Sequence, residues 1–244
     1  MNNYLLDISF IVSILIEICL PIALGVFIWK RFKISWAIFF LGAGLFLASL
    51  IRIPLNNFVN GIIGNNFNGE MLVVLTGLFS SFTAGLFEEG VRVIGIGAII
   101  KNKSYCKGIM YGIGHGGGGE SAVFVGLSVL ANYIVFRFFP HIIPGAGLSI
   151  FENMIWYMPM VGAMERIFAI AIQISLSVLI MYAFLSKRYY FIAVAFFYHI
   201  IVDFIAVYLN YRFGTLIIEA MVFVFALVSA GIIFLLRPKK KDSY

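Results

Sequence analysis

Residues 8–29 read ISFIVSILIEICLPIALGVFIW, with one acidic residue, Glu17, and no basic one. A helix of about 20 apolar residues rises about 30 Å, the thickness of the hydrocarbon core of a bilayer, so this stretch reads as a transmembrane helix. Six more runs of the same kind follow, over residues 34–53, 71–100, 111–139, 159–185, 189–211 and 215–236. The third and fourth are too long for plain rods, so each must tilt beyond the hydrocarbon or break. In the fourth, the four glycines at 116–119 mark where a helix would unwind. The fold class that follows is all-α: a polytopic bundle of about seven spans with a Gly-broken helix near His115.

Composition agrees. The chain is 62% hydrophobic and 11% charged, whereas a soluble domain is about half apolar and about a quarter charged. The formal net charge of +6 resides in small Lys/Arg clusters between the apolar runs. It forms no basic face, which excludes nucleic acid as a partner and makes the bilayer the expected one. Those clusters alternate along the chain: Lys30, Arg31 and Lys33; Arg52 alone; Lys101, Lys103 and Lys107; Arg137 alone; Lys187 and Arg188; Arg212 alone; Arg237 with Lys239, Lys240 and Lys241. By the positive-inside rule the protein is a multi-pass cell-membrane protein with its N-terminus outside and its C-terminus cytoplasmic. Trp29 and Trp36 flank the first basic loop, and Trp156 with Tyr157 marks the opposite interface. No removable leader is read at the N-terminus. Residues 1–244 form one integral membrane domain, and 237–244 a short basic cytoplasmic tail. Cys19 and Cys106 fall at different depths, against a disulfide between them.

A charged side chain at mid-bilayer costs about 2.5–3.5 kcal/mol on insertion scales, so each needs a partner, a water cavity or a function. Here they gather: Glu88, Glu89 and Arg92 in the third span, His115 and Glu120 in the fourth, Glu165 and Arg166 in the fifth, His199 and Asp203 in the sixth. At 1.5 Å per residue, Glu89 lies about 18 Å from Lys101, His199 about 16 Å from Arg188, and His115 about 12 Å from Lys107, which is one layer. Arg166 comes out about 31 Å from Lys187, near the outer surface, so Glu165 and Arg166 are read as structural. Glu88 and Arg92, four positions apart, are expected to pair along one helix face, with Glu89 rotated off it. His199 and Asp203 have the same spacing, so the carboxylate can orient the imidazole or both can reach one ligand.

A carboxylate and two histidines at matched depth in a dry interior suit water activation and oxyanion stabilisation. The catalytic candidates are thus Glu88, Glu89, Arg92, His115, His199 and Asp203. Zinc is the cofactor these donors suit, through His115 and His199, although the helical HExxH spacing is absent and the metal stays open. Structural readings compete: an ion pair for Glu88 with Arg92, an interhelical hydrogen bond for His199 with Asp203, and packing for Glu17 and Glu219. His141 reads as a solvated loop residue.

The segment Glu88-Glu89-Gly90-Val91-Arg92, followed by Gly112-Ile113-Gly114-His115-Gly116 with Glu120, then Glu165-Arg166, then His199 to Asp203, resembles the YhfC family of intramembrane proteases. That family is similar to the CPBP group, which includes type II CAAX prenyl proteases and bacteriocin-immunity-type proteins, and to PrsW-like proteases. The resemblance covers residues 82–203. It implies an intramembrane endopeptidase acting on a membrane-embedded peptide or protein, with Glu88 or Glu89 activating water, Arg92 orienting the glutamates, and His115 and His199 binding the scissile carbonyl or a metal. It also implies substrate or oxyanion contacts for Glu120 and for Gln173, which stands where the family tends to show a histidine. That departure weakens a three-histidine metal site and favours a glutamate-centred mechanism. Two other classes fit the same intramembrane residues: a transporter or ion-binding protein, and a non-catalytic peptide-binding protein of the immunity type.

Overall fold

A backbone in hydrocarbon must satisfy its polar groups internally, and helices do so. The computed structural model describes residues 4–238, and among these there is no strand. Seven helices are long and apolar enough to cross a membrane: Tyr4–Phe32, Trp36–Asn66, Gly69–Ile99, Tyr105–Phe138, Met158–Ser186, Tyr190–Phe213 and Thr215–Leu235. They are numbered here as first to seventh spans. Five of the expected runs match to within a few residues. From residue 239 onward the expected basic tail lies outside the described residues.

The second span is longer than its apolar run. It comprises two helical pieces, Trp36–Ser49 and Arg52–Asn66, separated by a tight turn in which the Ile53 amide donates to Leu50 O at 2.9 Å. Pro54, in the first turn of the second piece, is tolerated there because that position has no helical N–H bond to lose. Arg52, expected in a connecting loop, is therefore held within the bundle. The second piece is tied to the third span by Thr83 donating to Asn56 Oδ1 at 2.7 Å and by Asn60 donating to Ser80 Oγ at 3.1 Å.

The third and fourth spans depart from α-helix without breaking. The third carries two π-helical turns, Gly85–Glu89 and Gly95–Ile99. The fourth is π-helical over Ile113–Gly126. The unwinding expected at residues 116–119 is thus a widening, in which i→i+5 bonds keep the ladder satisfied. Its cause lies in what surrounds the glycines. A Cβ on Gly116 would stand 2.3 Å from Gln173 Cβ of the fifth span, one on Gly114 2.0 Å from Phe39 O of the second, and one on Gly117 2.8 Å from Pro21 Cβ of the first. Three helices press on the fourth span, and only side-chain-free positions let the backbones approach that closely.

The fifth span is the central post: 61% of its apolar window is buried, against 28% or less in every other span. Leu176, Leu179, Ile180 and Met181 pack there with Tyr111, Ile96, Ala195 and Val202. Ser175 donates to Ser229 Oγ of the seventh span or accepts from it at 3.0 Å. At one end of the bundle, the Lys107 ammonium donates to Lys101 O at 2.9 Å and Asn102 O at 2.8 Å, and Lys103 donates to Ile100 O at 3.1 Å. These contacts hold the carbonyls of the connection between the third and fourth spans.

Gly42 crosses the fourth span so closely that its Cβ would meet Tyr111 O at 2.4 Å, whereas Gly44 on the same helix faces nothing within 4 Å. Gly42→Ala is expected to destabilise the protein by about 1–3 kcal/mol through forced separation of two backbones, and Gly44→Ala to be neutral or slightly stabilising. Thermal unfolding of both variants in detergent micelles checks the contrast.

Candidate active site

The π-turn Gly85–Glu89 presents the two consecutive glutamates to different neighbours, and both are buried. Glu88 Oε1 accepts from the Arg52 guanidinium of the second span at 2.7 Å. Glu89 Oε1 accepts from Arg92 Nη1 at 2.7 Å and lies 2.7 Å from His199 Nδ1. The expected pairing is therefore exchanged: Arg92 binds Glu89, not Glu88. Helix positions three apart are neighbours as much as those four apart, and Glu88 is already engaged by an arginine from another span.

Arg92 is 0% exposed, and its other terminal nitrogen donates to Gln173 Oε1. The Gln173 amide group donates in turn to Glu120 Oε2 at 2.8 Å and to Glu88 Oε2 at 3.4 Å. Glu120 Oε1 accepts from Arg166 Nη1 at 3.0 Å, and Arg166 also donates to Glu165. Arg166 thus belongs to the network that the depth estimate excluded it from. Depth measured at Cα ignores the reach of an arginine stem, which spans most of a helical turn or more.

Both histidines approach Glu88. His115 Nε2 lies 3.5 Å and His199 Nε2 3.9 Å from Glu88 Oε2, while Asp203 Oδ2 lies 3.5 Å from His199 Nε2. Glu89, not Asp203, makes the short contact that orients the His199 ring. This leaves Nε2 facing Glu88 and Asp203, with a carboxylate orienting the imidazole from its other nitrogen. His115 is fully buried, stacked on Tyr111 with ring centres 5.9 Å apart and edge-on to Phe46 at 5.3 Å. Neither of its ring nitrogens has a hydrogen-bond partner, nor does Glu89 Oε2.

A cavity of about 310 Å³ opens beside this cluster, with Arg52, Glu88, Glu120, Gln173, His199 and Asp203 among its walls. Arg166 lines it as well. Glu89, Arg92 and His115 stand behind that polar wall. Every expected candidate is therefore within one connected cluster, and three residues join it that the sequence reading placed elsewhere, Arg52, Arg166 and, through Arg166, Glu165. For Arg52 the available signal was Pro54 two residues later, which indicates a bent helix at a lone charge more than a loop. Glu17 lies outside the cluster, with Ser13 donating to its Oε1 at 3.1 Å. Cys19 and Cys106 are both free, and His141 is exposed in a short 3₁₀ turn.

As to a metal, among the described residues no three His, Cys, Asp or Glu side chains are already grouped to hold an ion. The donor chemistry nevertheless fits zinc. Two imidazoles face a carboxylate, and one of them carries unpartnered nitrogens in a dry site, where an orphaned polar atom demands explanation.

A family model described as YhfC intramembrane metalloprotease matches residues 16–226. A Bacillus subtilis (strain 168) protein named "Uncharacterized membrane protein YhfC" is 30% identical over 190 residues, covering 71% of this chain and 73% of that relative. No solved structure matches.

The buried Arg92–Glu89 pair generates a stability prediction. Arg92→Met leaves Glu89 buried against His199 alone and is expected to cost about 3–5 kcal/mol, whereas Arg92→Met combined with Glu89→Gln restores part of that loss because no uncompensated charge remains. Unfolding temperatures of the single and double variants in one detergent give the comparison.

Proposed function

The chain belongs to the YhfC intramembrane metalloprotease family, and from that premise we propose that it is an intramembrane endopeptidase in which Glu88 activates the attacking water. The observation that carries this assignment is the difference between the two glutamates. Glu88 lines the cavity with one oxygen anchored on Arg52 and the other facing both histidines. Glu89 is taken up by Arg92 and His199 Nδ1 behind it.

Glu88 removes a proton from a water in the cavity as the water oxygen bonds to the scissile carbonyl carbon. The carbonyl π electrons move to its oxygen, and Arg52 and His199, both on the cavity wall, stabilise the oxyanion. The proton held by Glu88 then passes to the amide nitrogen as the C–N bond breaks. Glu89 and Arg92 are positioning residues that fix the His199 ring. Gln173 and Glu120 hold the far wall and contact the substrate backbone. His115 and His199 are the residues that would hold zinc, with Asp203 beside His199; zinc when bound would supply the carbonyl polarisation in place of His199, and a more acidic water. Substrates are membrane-embedded proteins or peptides whose helices unwind into the cavity. The Lys/Arg alternation supports a cell-membrane protein with its N-terminus outside and its C-terminal basic tail cytoplasmic, residues 1–244 acting as one membrane domain.

Comparing membrane-protein fragments in cells making the native chain, Glu88→Gln or Glu89→Gln at equal accumulation tests the assignment. Glu88→Gln is expected to lower cleavage by about 100-fold or more, and Glu89→Gln by less because it acts through His199. Native fragment yields from Glu88→Gln would overturn the role of Glu88. Elemental analysis of the purified protein reads the metal directly: about one zinc per chain, lost in His115→Ala and retained in Gln173→Ala, is the expected result.

A further inference from the structure

A second cavity, of about 320 Å³, lies against the first, and Val125 and Arg166 belong to the walls of both. Most of its lining is apolar, with Phe10, Val129, Met158 and Gly162 among it; Ser13, Glu17 and Glu165 are its other polar members, and the carboxyl of Glu17 is one that the catalytic reading leaves unused. Glu17 is 2% exposed. Ser13 donates to its Oε1 at 3.1 Å, and its Oε2 has no partner. A buried carboxyl oxygen without a partner on a cavity wall marks a place for a donor that arrives with a ligand.

Intramembrane cleavage itself creates such a donor. A substrate segment that unwinds to expose its scissile bond carries backbone N–H and C=O groups stripped of helical partners, and hydrocarbon offers none. Residues beyond the cut must therefore rest in a protein cavity that accepts apolar side chains and bonds a little backbone. We propose that the Glu17 cavity is that subsite: it holds the apolar, extended stretch of substrate next to the scissile bond, with Glu17 binding its backbone amide and Arg166 forming the threshold to the catalytic cavity. This inference rests on the protease reading and adds to it a recognition element for extended, uncharged, apolar sequence.

Gly162 is the clean probe, since a Cβ there meets nothing within 4 Å. Gly162→Phe introduces a ring at a cavity wall where the first side-chain carbon meets no packed atom, and so narrows the cavity. Glu17→Leu removes a buried carboxyl whose one protein donor is the Ser13 hydroxyl, a loss that a purely structural site would tolerate well. Fragments from cells making the native chain, Gly162→Phe, Glu17→Leu or Glu88→Gln are sequenced at their new ends, at matched unfolding temperatures. Gly162→Phe and Glu17→Leu are expected to cut about ten-fold less or more slowly still, and Gly162→Phe to shift the residues flanking the cut toward smaller side chains. Native yields and native cut sites in both, with Glu88→Gln inactive, would overturn the subsite alone. Retained cleavage in Glu88→Gln would overturn the catalytic assignment instead. The cavity is then judged by binding: a photoactivatable phenylalanine analogue replacing Gly162 is offered a biotin-tagged apolar peptide with a Gly-Gly centre. An adduct beside the Gly-Gly pair that is lost with Glu17→Leu supports the subsite, and its absence overturns it.

Discussion

A guanidinium with no access to solvent must be neutralised where it stands, and Arg92 is such a group. Its two terminal nitrogens are taken by Glu89 and Gln173, residues of the third and fifth spans. Through Glu89 the constraint reaches His199 of the sixth span, and through Gln173 it reaches Glu88 and Glu120. One buried charge thus fixes the mutual positions of four helices at the depth of the cavity. The side chains facing the cavity are held by groups behind it, as preorganised catalysis requires.

Such a cluster needs helices closer together than side chains normally allow. The fourth span meets this need with glycines at close approaches to the first, second and fifth spans, and by widening to a π-helix from Ile113 onward. A widened helix also alters which way its residues point. His115 consequently lies inside a wall of Phe46 and Tyr111 with Nε2 toward Glu88, and it is fully buried. The same geometric device in the third span, the turn Gly85–Glu89, turns two adjacent glutamates toward partners on different helices.

The spans were legible because apolar length is a direct consequence of bilayer thickness. The common depth of Glu89, His115 and His199 was legible because helical rise converts position into depth. What remained hidden depended on departures from ideal helix and on side-chain reach. The Glu88 partner was misread because a second arginine, from a bent second span, entered the bundle at Arg52. Arg166 was set apart because its Cα lies far from the catalytic layer, although its guanidinium reaches Glu120. The widening of the fourth span was signalled by residues 116–119, but glycines alone do not distinguish an unwound helix from a wider one.

Gln173 shows what the cluster requires of the side chain at its centre. At this position the geometry asks one side chain to accept from Arg92 and to donate to both Glu88 and Glu120. A neutral imidazole has one donor and one acceptor, and a charged one has no acceptor for the guanidinium. Only an amide side chain offers an acceptor and two donors without adding charge beside Arg92. With Gln173 committed to this bridge, imidazole chemistry is left to His115 and His199, and Glu88 is the carboxylate that both of them face. The proposal centred on Glu88 thus draws on how the hydrogen bonds are distributed, as well as on where the glutamates lie.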